Sequence, residues 1–129
     1  MAARHHRIVV TCLFLATSYA QAVRAQAPAP AVVPDKTFEI VASRFKFAPS
    51  VIEVTEGERV LLKLRSADGK HGLGIKDFKV KRQIPKTGDT VSVEFVADRA
   101  GTFTILCSEY CGGGHSRMKG QLVVHPKAN

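Results

Sequence analysis

The sequence predicts an all-β sandwich or barrel, and three observations carry that prediction. From Lys36 onward apolar residues recur at every second position, not at the helical period of about 3.6. The apolar segments are rich in Val, Ile, Phe and Thr, the residues that fit a pleated surface. Clusters of turn-forming residues separate them at short intervals.

Taken in order, the expected strands span residues 38–47, 51–54, 59–65, 72–75, 79–84, 90–96, 102–107 and 120–125. TEGE, SADGK, PKTGD and ADRAG supply the turns at 55–58, 66–70, 85–89 and 97–101. In RVLLKLRS, Val60, Leu62 and Leu64 point one way while Leu61, Lys63 and Arg65 point the other. TVSVEF sets Val91, Val93 and Phe95 against Thr90, Ser92 and Glu94. Each is a strand that covers a core on one side. No stretch shows a convincing amphipathic helix, and there is no internal repeat.

The chain has 129 residues, room for one compact domain. Residues 1–25 have the layout of a secretory signal: Arg4 and Arg7 first, then an apolar run from residue 8 to residue 20, then small residues at Ala20, Ala22 and Ala25. That run of 13 residues falls short of the ~20 needed to span a bilayer. Cleavage is expected after Ala25. Residues 26–35 are rich in proline and alanine and read as an extended linker; residues 36–129 form the folded domain. Loss of Arg4, Arg7 and Arg24 with the leader takes the net charge from +8 to +5. An exported chain without a recognition helix is a poor candidate for nucleic acid. Lys76, Lys79, Lys81, Arg82 and Lys86 cluster, as a docking surface for an anionic partner or as the lysines of a solvated edge strand.

The chemistry concentrates in CSEYCGGGHSRM, residues 107–118. Alternation in TFTILC puts Phe103, Ile105 and Cys107 on one face, so the cysteine emerges at a strand end. Cys111, His115 and Met118 follow before the last strand. The three glycines between allow close packing around a bound group. Thiolates, imidazole and a thioether suit copper better than zinc, calcium or magnesium. Two thiolates can bridge a pair of copper ions, each of which then needs one more nitrogen. His115 offers one, and His71, after the turn SADGK, is the best second candidate. His125 has no other donor near it in sequence and reads as a surface or structural histidine. Two alternatives remain open: a disulfide leaves His115 and Met118 without a role, and zinc held by two cysteines and two histidines leaves out Met118.

The spacing from Cys107 through Cys111 and His115 to Met118, with HG at 71–72 and the lead-in ADRAGTF, resembles the dinuclear copper (CuA) domains of cytochrome c oxidase subunit II and nitrous oxide reductase. That resemblance covers most of 36–125 and implies a cupredoxin-like Greek-key β-sandwich. It implies two copper ions bridged by Cys107 and Cys111 and capped by His71 and His115. Met118 would be a weak axial ligand, and the backbone carbonyl of Glu109 its counterpart, with the Glu109 side chain exposed and free to vary. Implied also is one-electron transfer with a cytochrome or a terminal oxidase or reductase, in the periplasm. A copper carrier serving a copper acceptor protein is the alternative. The oxidase family receives electrons at an aromatic patch with tryptophan; here there is no tryptophan, and Phe45, Phe47 and Tyr110 are the candidates to take its place. No nucleophile and base stand apart from the metal donors, so bond-making catalysis is not expected.

Overall fold

The computed structural model describes residues 33–128. The expected leader, and all but the last three residues of the expected linker, lie outside the described residues. Among the described residues no helix is long and apolar enough to cross a membrane.

Among the described residues nine strands form two sheets. They are β1 (Lys36–Ser43), β2 (Lys46–Ala48), β3 (Val51–Thr55), β4 (Arg59–Ser66), β5 (His71–Ile75), β6 (Val80–Ile84), β7 (Val91–Val96), β8 (Gly101–Leu106) and β9 (Lys119–His125). One sheet has the order β2-β1-β4-β7 and the other β3-β9-β8-β5-β6. β1 runs parallel to β4 and β3 parallel to β9, whereas the other pairings are antiparallel. This is the β-sandwich that the alternation predicts.

The core lies between the inner faces. Ile40, Leu62 and Leu64 project from the first sheet, and Ile52, Leu73, Ile105 and Leu122 from the second. Leu62, fully buried and in register with Phe38 and Val93, sits at its centre. Leu62→Ala is expected to cost about 2–5 kcal/mol, since a cavity remains where the side chain was. Chemical denaturation of the metal-free protein checks this.

Two boundaries differ from expectation in ways that matter to the site. The first expected strand, 38–47, is a hairpin, with Ser43 paired to Lys46 around a turn at Arg44 and Phe45. No Gly or Asn marks this turn; it is held from outside. Arg44 N donates to Asp68 at 2.8 Å, and the Phe45 ring lies against Gly112 and Gly114. The strand expected at 79–84 begins one residue late, because Lys79 caps a short 3-10 turn (Lys76–Phe78) in the left-handed region, with φ of 55°. At the other end, Asp35 is already tied to β4: its N–H donates to the Arg59 carbonyl at 2.9 Å and its carboxylate accepts the Arg59 N–H at 2.8 Å.

Candidate metal centre

β8 and β9 run antiparallel up to the pair Leu106 and Lys119, and the donor-rich loop closes the hairpin above them. The Cys107 N–H donates to the Met118 carbonyl at 3.2 Å, so the two ends of the loop are fixed to each other. Inside it the chain coils tightly: His115 N–H bonds the Gly112 carbonyl at 3.0 Å, Arg117 N–H the Gly114 carbonyl at 3.0 Å, and Met118 N–H the His115 carbonyl at 3.2 Å. Gly112 takes a φ of +128°, which a side chain would resist. A Cβ on Gly114 would overlap the Phe45 ring, with Cε2 at 2.7 Å. Two of the three glycines are therefore needed for the loop to close under Phe45.

Coiling brings the donors together. Cys107 Sγ and Cys111 Sγ lie 3.6 Å apart, and both thiols are free. Cys111 Sγ is 3.8 Å from His115 Nδ1 and 3.8 Å from Met118 Sδ. Cys107 Sγ is 3.1 Å from the carbonyl oxygen of Glu109. A ring nitrogen of His71, at the start of β5, lies within 4.8 Å of both sulfurs. One residue from the second expected histidine position and five from the loop thus gather at one end of the sandwich. His125 is not among them. It sits at the far end of β9, exposed, with Nε2 2.7 Å from Glu53.

His71 is fully buried, and its two nitrogens differ. Nε2 lies 2.8 Å from the Asp68 carboxylate, whereas Nδ1 is buried without any partner. The Arg44 N–H first, and then the His71 ring, hold the Asp68 carboxyl below the usual carboxylate range. An ionised carboxylate only accepts, so Nε2 carries a proton, and in the neutral form of the ring that leaves the lone pair on Nδ1. A buried acceptor with nothing to accept from is costly. Two adjacent sulfurs, a free imidazole lone pair and a thioether are a donor set that suits copper.

The Cys111 thiol is pushed up to about 11 from its ordinary 9.0, by burial first and then by the neighbouring Cys107. The folded metal-free protein therefore holds a proton that the unfolded chain releases above pH 9.0. The stability this contributes is present below that pH and is lost as pH rises toward 11. Melting of the metal-free protein across this window should show a drop that Cys111→Ser lacks.

Sequence reasoning missed the side chains around the donors. Asp68 lay inside the turn SADGK, where it reads only as a turn former. Its position three residues before a histidine was the available signal. The Glu109 side chain is not free: Gln83 Nε2 donates to it at 3.0 Å and Lys70 Nζ lies 3.3 Å away. Gln83, and then Lys70, keep its carboxyl below the usual range. Of the three aromatic candidates, Phe47 is buried in the core and cannot serve as a surface patch. Phe45 is half-buried over the loop, and Tyr110 is 77% exposed, its ring 5.7 Å from that of His115.

Known proteins resemble this chain to differing extents. Cytochrome c oxidase subunit 2 of Thermus thermophilus is 34% identical over 101 residues, spanning 75% of this chain and 74% of that protein. Nitrous-oxide reductase of Cupriavidus necator is 29% identical over 92 residues, spanning 68% of this chain but 14% of that protein. Among solved structures, the periplasmic domain of subunit II of cytochrome oxidase from Bradyrhizobium japonicum superposes with a TM-score of 0.64 at 21% identity, covering 74% of this chain and 88% of that one. These agree with the resemblance to CuA-type copper domains read from the loop. The family described as cupredoxin-like domain matches residues 7–124, so with nearly its whole length accounted for, this chain belongs to the cupredoxin-like domain family.

Proposed function

We propose that the chain holds two copper ions in a CuA-type centre and serves one-electron transfer outside the cytoplasm. The observation that carries this reading is the pair of sulfurs 3.6 Å apart beside a buried, unpartnered His71 Nδ1. Cys107 and Cys111 would bridge the pair, His71 and His115 would each cap one ion, and Met118 and the Glu109 carbonyl would be the weaker ligands. Copper held this way supplies reversible one-electron exchange.

The chain's own part is to keep the donors still. Asp68 fixes the His71 tautomer and ring, Cys107 and Met118 are joined through their backbones, and fully buried Met118 has little room to turn. Ligands that barely move between oxidation states keep the reorganisation barrier low. Asp68→Asn removes the anion that orients His71 and should weaken copper binding about 10–100-fold, as read by competition with a chelator. The partner would be a cytochrome or a terminal oxidase or reductase, as the names of the relatives suggest. A leader such as 1–25 would place the protein in the periplasm.

Loading the reduced protein with copper tests this. Two ions per chain and an electron-spin signal from one unpaired electron shared over two equivalent coppers are expected. One ion, with the spectrum of a single copper, would reject the paired centre. Loss of copper to a metal-free acceptor protein, faster than electron exchange, would make the chain a carrier instead.

A further inference from the structure

A groove of about 710 Å³ opens along the edge strand β6. Ile84 and Pro85 at the end of β6, with Val91 of β7, give it an apolar floor. Lys70, Lys81, Arg82 and Lys86 line it, and no carboxylate does. Lys81, Arg82 and Lys86 form no ion pair among the described residues, and Lys70 pairs only with Glu109. β6 is the outer strand of its sheet, and its only backbone hydrogen bonds among the described residues are those of its ladder with β5.

We propose that this groove docks an acidic, extended segment of the protein that exchanges electrons or copper with the centre. Only what is exchanged rests on the function proposed above. Three features favour such an occupant. The edge of β6 offers unpaired backbone groups to an extended chain. Four cations around an apolar floor select carboxylates and repel a second copy of this protein. A flat lipid surface would meet the cations but not the recessed floor. The groove also touches the centre mechanically. Lys70 and Gln83 line it and hold the Glu109 side chain, while the Glu109 carbonyl lies 3.1 Å from Cys107 Sγ. A docked segment would therefore lie one residue from the donor loop.

The test uses a labelled decapeptide of alternating Glu and Ala, followed by fluorescence anisotropy with metal-free and copper-loaded protein. Binding should weaken about tenfold when salt rises from low to physiological strength. Lys81→Glu combined with Arg82→Glu should weaken it at least about tenfold without changing copper uptake. Lys36→Glu with Lys46→Glu, the same charge change on the opposite sheet, should leave it within about twofold. Equal losses in both variants would reduce the effect to net charge and overturn the proposal. So would binding of phosphatidylglycerol vesicles, but not peptide, through the same two residues. If the groove variant does not fold, amide shifts of the unaltered protein decide: changes confined to Lys70, residues 80–91 and the adjoining Glu109 support the groove, and changes elsewhere overturn it. Peptide binding without copper uptake would leave the groove standing and sink the copper centre; copper uptake without peptide binding would do the reverse.

Discussion

Cys111→Ser is expected to reduce copper uptake from two ions per chain to one or none and to abolish the signal of a shared electron. The physical reason is local. Cys111 Sγ is the atom from which the distances to Cys107, His115 and Met118 all fall between 3.6 and 3.8 Å. A serine hydroxyl is a hard donor that does not ionise near neutral pH and does not bridge copper as a thiolate does. The fold should survive, since Cys111 is only half-buried and stands in the loop rather than on a strand. Circular dichroism together with metal analysis separates loss of metal from loss of structure. Replacing His125, at the opposite end of β9, should change neither copper count nor spectrum. A variant of Cys111 that still binds two coppers would show that the sulfur pair is not the bridge.

Gly72→Ala should damage both stability and the centre, although the change is one methyl group. Gly72 lies buried in β5, and its open face is covered by Ser108 and Glu109 at the start of the donor loop. An added Cβ would meet Glu109 Cγ at 2.8 Å and Glu109 N at 3.0 Å, closer than carbon atoms settle. The loop must then lift, breaking the 3.2 Å hydrogen bond from Ser108 N–H to the Gly72 carbonyl and shifting the Glu109 carbonyl away from Cys107. Overpacking of this kind costs about 1–3 kcal/mol, a fall in Tm of about 4–8 °C per kcal/mol for a domain of this size. Gly113→Ala is the control, because nothing lies within 4 Å of its added Cβ. If Gly72→Ala left both Tm and copper spectrum unchanged, the seating of the loop on β5 would be of no consequence.

Much of this architecture was legible beforehand, because strand alternation is a local property. Whether Leu62 or Lys63 faces the core depends only on the pleat, so the pattern in RVLLKLRS reads directly as burial. The donors of the loop were legible for a similar reason: Cys107, Cys111, His115 and Met118 lie within one short turn of chain, and their residue types name the chemistry. The hairpin at Arg44 and Phe45 was not legible. Its turn is imposed by Asp68 and by the loop glycines, which lie far away in sequence.

The sequence by itself determined the all-β class, the inward faces of alternating strands such as 59–66 and 91–96, and the kind of metal that the loop's donors would take, since each depends on neighbours along the chain. Only the tertiary structure decided how His71 meets the sulfurs, which of its nitrogens is free, and that Glu109 is clamped by Gln83 and Lys70. Those facts come from pairing β5 with both β6 and β8, which sets residues from three distant segments side by side. Contacts of that kind are chosen by the packing of whole sheets, and no short stretch of sequence encodes them.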